Sequence, residues 1–183
     1  MPEPQQNPRP PDPRKRRSDR YRQLALGAIV TAAGVLLPIL FHAAGVGPVF
    51  LPMFLPLAVG SFALRPWVAV AVGVFTPLLS SFVTGMPSLM PPVAPVLSVE
   101  LGVFAGLIAL LYRLGIQPTL ALLLAFAVNR LLLLLIALAV APALGLPSHW
   151  TGLAAVAYGL PGIVLMVVLV PALLPRLSRF LEV

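Results

Sequence analysis

Cysteine is absent from the sequence, which removes disulfide frameworks, thiolate metal sites and thiol nucleophiles, and leaves the redox compartment undetermined. Charge is nearly as scarce. Only 9% of the residues are charged, against roughly 25% in an ordinary soluble domain. The two histidines, His42 and His149, are isolated and do not make a zinc site. Among the five acidic residues only Glu100 lies inside a long apolar run, so general acid–base chemistry lacks its usual second partner. No Gly-x-x-x-x-Gly-Lys-Ser/Thr segment occurs, so the chain has no phosphate-binding loop with which to couple ATP directly. Gly-x-Ser-x-Gly is missing as well. The sequence therefore reads as a non-enzyme that needs no cofactor of its own.

Apolar residues make up 60% of the 183 positions. Long apolar runs recur from Leu24 to Leu174, each close to the ~20 residues a helix needs to cross the ~30 Å hydrocarbon core. The net charge of +7 does not indicate nucleic acid, because Arg9, Arg14, Lys15, Arg16, Arg17, Arg20 and Arg22 crowd one end of the chain. The first run, Leu24 to Leu40, is longer than a signal-peptide core and reads as a retained helix.

Three regions follow: a disordered, basic, proline-rich cytoplasmic tail over 1–21, a transmembrane domain over 22–176, and a short cytoplasmic tail over 177–183. The expected fold is all-α, a bundle of six transmembrane helices at about 22–43, 50–64, 66–84, 96–113, 118–140 and 151–174. Pro48, Pro52 and Pro56 mark the second as short, irregular and packed within protein. The Gly85–Pro95 segment reads as an ordered apolar loop folded back over the bundle. Lys and Arg collect on the cytoplasmic side. Six crossings with both termini inside put Arg65, Arg113, Arg176 and Arg179 there, and leave the outer loops at 44–50, 85–95 and 141–151 without a cation.

Two embedded charges stand out, Glu100 and Arg130. Each costs at least about 2.5–3.5 kcal/mol at mid-membrane unless paired or hydrated. Counted from Arg113 and from Pro118 at 1.5 Å per residue, both lie about 18–20 Å above the inner boundary, in the outer half of the bilayer. They either lock two helices as an ion pair or line a cavity open to the outside, and both can hold together. Thr76, Ser80 and Thr84 form one polar stripe at helical spacing, with Ser81 beside it, and packing is the first reading of such hydroxyls. Asn129 points about 100° away from Arg130 and suits a helix-bridging hydrogen bond. His42 and Trp150 sit near the outer boundary, and Trp67 at a boundary reads as an anchor. Small residues stack as Ala28-x-x-x-Ala32 and Gly102-x-x-x-Gly106, a spacing that lets helices approach closely.

The stretch Phe50-Leu51-Pro52-Met53-Phe54-Leu55-Pro56, the run Thr76-Pro77-Leu78-Leu79-Ser80-Ser81 with Thr84-Gly85-Met86-Pro87, and Glu100-Leu101-Gly102 together resemble substrate-binding S components of energy-coupling-factor (ECF) vitamin transporters. The resemblance covers most of residues 22–175 and departs at Phe54, where histidine is frequent in that family. It implies a plasma-membrane subunit, of prokaryotic type, that binds a water-soluble vitamin or precursor from outside. Its partners would be a membrane coupling protein and two ATPases, which use the ATP. The resemblance implies a ligand site built from Glu100, Arg130, His42, Met53, Phe54, Ser81, Trp150 and Tyr158, and a coupling-protein contact at Ala28 and Ala32. A structural or scaffolding polytopic membrane protein of the cell envelope and a small secondary carrier remain open alternatives.

Overall fold

The computed structural model describes residues 13–43, 52–90, 92–136, 138 and 159–181, with the side chains of Pro13, Lys15, Arg16, His42, Ala43 and 177–181 outside that description. Among the described residues there are six helices: α1 Pro13–Ala43, α2 Phe54–Ser61, α3 Pro66–Thr84, α4 Val93–Arg113, α5 Pro118–Leu135 and α6 Leu160–Leu181.

Four of them, α1, α3, α4 and α5, are long and apolar enough to cross a membrane. The eight residues of α2 rise only about 12 Å, and the described apolar run of α6, Leu160–Arg176, is shorter than a full span. Large apolar side chains such as Phe75, Phe82, Leu131 and Val168 stand exposed on the outside of the bundle. A girdle of that kind marks a membrane-embedded protein, whose solvent at these positions is lipid.

Helix α1 starts well before the expected boundary: Pro13–Tyr21, read from composition as tail, are helical. Arginine and lysine are good helix formers, and proline is favoured at the first helical position. The basic end is also tied down. Gln23 Nε2 donates to the Ala63 carbonyl at 3.1 Å, and its Oε1 accepts the Arg65 backbone N–H at 2.7 Å. One amide thus satisfies the bend between α2 and α3, and Asp19 approaches Arg65 at 3.8 Å.

Contacts along α1 fix the directions of its neighbours. Leu57 lies beside Gly34 and Gly60 beside Val30, while Ala63 lies at Gln23; α2 therefore runs antiparallel to α1. Val68 and Val72 lie beside Gly27, and Thr76 beside Gly34, so α3 runs parallel to α1. The chain between Ala43 and Arg65 returns to the end from which α1 started. The short, packed character expected of this segment is what the structure shows: Phe54, Leu57, Ala58, Gly60 and Ser61 are buried. Pro56 is the third residue of α2, where the backbone N–H has no intrahelical partner to lose.

The closest helix contact joins α3 to α4. A methyl group on Gly73 would run into the Leu101 carbonyl and the Gly102 backbone, and one on Gly102 would meet Val74 Cγ2 at 2.8 Å. Helix α4 packs against α2, α3 and α5, and Leu101, Phe104 and Ile108 are fully buried. It begins at Val93, ahead of the expected position, because Pro95 falls in its first turn, where proline is tolerated. Helix α6 contributes Met166 and Val170 to the core and packs on α5 and α2. It continues past Pro171 and Pro175 to Leu181, so residues 177–181, expected as tail, are helical.

The loop after α3 is ordered but does not fold back over the bundle. Gly85 closes α3 in the left-handed conformation, φ 74°, its N–H bonded to the Ser81 carbonyl. Ser80 and Thr84 donate to the Met86 carbonyl at 2.8 and 3.0 Å, and the Ala94 N–H donates to the Ser88 carbonyl at 2.9 Å. These bonds hold the loop by its backbone and release its side chains, so Met90 is 88% exposed.

Gly73→Ala is expected to cost about 1–3 kcal/mol or more, since both clashing partners are backbone. Gly27→Ala, meeting Val72 Cγ2 at 3.2 Å and Val68 Cγ1 at an ordinary 3.7 Å, should be close to neutral. Thermal unfolding of the two variants in detergent measures the difference.

Candidate functional site

Helices α4 and α5 are antiparallel neighbours whose facing residues repeat at i, i+4. Phe104 and Phe126 meet with ring centroids 4.6 Å apart. One turn along each helix stand Glu100 and Arg130. Phe54 of α2 completes an aromatic cluster, 5.1 Å from Phe104 and 6.3 Å from Phe126. The three rings are buried and form an apolar layer next to the polar pair.

Glu100 is 3% exposed and Asn129 is fully buried, while Arg130 is half-buried. Glu100 and Arg130 lie close enough to act on each other electrostatically. They do not close into an ion pair of the kind Asp19 makes with Arg65. Glu100 Oε1, both amide atoms of Asn129, and Arg130 Nε and Nη2 are buried without a hydrogen-bond partner. The helix-bridging bond expected of Asn129 is therefore not made. Its side chain is fixed by the buried stripe of Leu122, Ala125, Phe126 and Leu133 on α5, and no polar group of a facing helix reaches it.

Each buried unsatisfied group costs about 1–3 kcal/mol, and a charged one more. Five such atoms on two adjacent helices are an exception that native structures explain by water, an ion or a ligand. The buried hydroxyls elsewhere show the contrast. Ser61, Thr76 and Ser98 donate to the Leu57, Val72 and Ala94 carbonyls at 2.6, 2.6 and 2.8 Å, and Thr84 donates to Ser80 at 2.7 Å. The polar stripe on α3 is thus satisfied within its own helix and loop, with Thr76 also reaching Thr31 at 3.5 Å. Among the described residues the unmet buried side-chain atoms all belong to Glu100, Asn129 and Arg130 on α4 and α5.

The residues expected at the site are brought together in part. Glu100, Arg130 and Phe54 converge, and Met53 is buried beside Phe54 in the same core. Ser81 is buried but lies two turns, about 12 Å, beyond the level of Gly73, where α3 meets Leu101 next to Glu100. The side chain of His42 is outside the described residues, as are Trp150 and Tyr158. Ala28 and Ala32 share an exposed face of α1 with Leu24, Leu36 and Leu40, whereas Gly102 and Gly106 are used inside the bundle against Val74 and Val70. Trp67, 65% exposed, stands at the first turn of α3. An open groove of about 440 Å³ beside it, lined by Pro66, Val70, Gly106 and Leu110, is apolar and offers no polar contact for a solute. The sequence reading missed Phe104 and Phe126 as site-forming residues and Asn129 as a member of the open cluster. Phe104 stands four residues after Glu100 and Phe126 four before Arg130, and that spacing was the available signal; Asn129, next to Arg130 in the chain, carried none.

Comparison with known proteins returns nothing: no family model matches the chain, and no curated protein and no solved structure shows significant similarity to it.

Replacing Glu100→Gln and Arg130→Met together should leave the unliganded protein as stable as wild type or more stable, because two unmet buried charges are removed at similar volume. Arg130→Met alone should destabilise it, leaving Glu100 without the opposing charge. Thermal midpoints in detergent decide; a double variant much less stable than wild type would mean that the pair itself holds the bundle.

Proposed function

We propose that the chain is the substrate-capture subunit of an ATP-driven importer of the ECF type. It binds a water-soluble vitamin or vitamin precursor from outside the cell and hands it inward with a coupling protein and two ATPases. The observation that carries this reading is the open polar cluster of Glu100, Asn129 and Arg130, buried and unmet within an otherwise apolar bundle. Groups of that cost persist in membrane helices where they serve a solute. The aromatic layer of Phe54, Phe104 and Phe126 packs one turn from Glu100 and Arg130, on this reading as a floor that stops a solute from passing straight through. The exposed Ala28 and Ala32 give α1 a smooth face on which another membrane subunit can sit.

Six crossings with both ends cytoplasmic belong to the same proposal. The return of α2 along α1 supports the even count up to Arg65, and the gathering of Arg17, Arg20 and Arg65 near one end of α1 supports its orientation. Because the chain has no cysteine of its own, single substitutions report sidedness cleanly. Met90→Cys should react with a membrane-impermeant maleimide in intact cells, and Leu114→Cys only after permeabilisation; the reverse pattern would invert the topology.

Mass spectrometry of small molecules released from the purified protein tests the function itself. A vitamin-like molecule is expected from wild type and should be lost in Arg130→Ala. A wild type that carries nothing, even after incubation with a vitamin mixture, would favour a bundle that only organises other membrane proteins.

A further inference from the structure

We infer that the open cluster between α4 and α5 is the head-group site for an amino-acid-type zwitterion, with the carboxylate on Arg130 and the ammonium on Glu100. The inference rests on the reading of this cluster as a solute site and goes on to name the chemistry of the solute.

The identity of the unmet atoms carries the argument. Arg130 leaves Nε and Nη2 free. Their N–H bonds point the same way from one edge of the guanidinium, the fork that takes both oxygens of a carboxylate in parallel hydrogen bonds. The carboxylate already nearby, Glu100, acts on Arg130 through space but does not occupy that fork, and its own Oε1 is equally free. Two opposite charges held near each other, each with its best hydrogen bonds unmade, are complementary to a molecule that carries both signs in reverse order.

Asn129 fits the same occupant. Its Oδ1 and Nδ2 are both buried and unmet, so next to Arg130 in sequence α5 carries one further acceptor and two donor hydrogens without partners. A simple anion would satisfy the fork yet leave Glu100 unmet and repelled. A simple cation would satisfy Glu100 and leave the fork empty. A zwitterion adds no net charge to a site of no net charge, which is the least costly way to fill it in a medium of low dielectric.

The test uses the full-length protein in detergent and a panel of probes: the proteinogenic amino acids, β-alanine and γ-aminobutyrate, each compared with the amine lacking its carboxylate and the acid lacking its amine. Binding is read by thermal shift and by calorimetric Kd. At least one amino acid is expected to bind, with its matched amine and acid about tenfold weaker or more, the loss of a charged hydrogen bond. Glu100→Gln should erase the advantage of the amino acid over the acid, and Arg130→Gln its advantage over the amine. Both variants are first shown to be monodisperse, so that lost binding is not lost folding.

Two results overturn the inference while leaving the importer standing: a bound molecule released from wild type that lacks either an amino or a carboxylate group, or a ligand whose Kd is the same in Glu100→Gln and Arg130→Gln as in wild type. Failure of every probe, together with a wild type that releases no small molecule, removes the solute site altogether, and the cluster is then hydrated structure only.

Discussion

The contact of Gly73 with the backbone at Leu101 and Gly102 fixes the distance between α3 and α4, and much of the bundle is placed by it. Without a hydrophobic drive between helices in lipid, association depends on close packing, and only glycine lets two backbones meet this nearly. Helix α4 is thereby held at the centre, with α2, α3 and α5 around it. Glu100, one turn from the ring contact of Phe104 with Phe126, is buried by this packing, 3% exposed.

The polar end of α1 performs the complementary task. Helices α1 and α3 lie parallel, so the chain has to come back between them, and α2 does so with eight helical residues and a bend. A bend inside a membrane protein leaves backbone groups that lipid cannot satisfy. Gln23 meets that need from the side, donating to Ala63 and accepting from Arg65. The Asp19–Arg65 approach nearby is exposed and adds little by itself; the amide bonds are the ones that set where α3 begins.

How much of this was legible in the sequence follows from which forces have a linear signature. Apolar runs gave the helices from α3 to α5 within a few residues, since length and hydropathy are local properties. The starts of α2 and α4 were misjudged around Pro56 and Pro95, because proline breaks a helix interior but is accepted in a first turn, and only the fold says which turn it is in. The outer loop was expected to pack because Leu89 and Met90 are apolar, yet its order comes from Ser80, Thr84 and Gly85 bonding the backbone. Glu100 and Arg130 were legible as a pair at equal depth. That they stay apart, and that Asn129 finds no partner on a facing helix, depends on where Leu101 and Phe126 pack, which no spacing rule states.

The cost of the open cluster and its use are the same quantity seen from two sides. Unfilled, Glu100 Oε1, Asn129 and the Arg130 fork each forgo bonds worth about 1–3 kcal/mol, and the packed rings of Phe54, Phe104 and Phe126 lie one turn away. A solute that supplies those bonds recovers the deficit without reorganising the site, since the helices already hold the groups in place. Ligand present at a hundredfold excess over its Kd would then stabilise the fold by about 2.7 kcal/mol through mass action alone. If a solute fills the site, the difference between empty and loaded protein falls where α4 and α5 face each other, at Glu100 and Arg130.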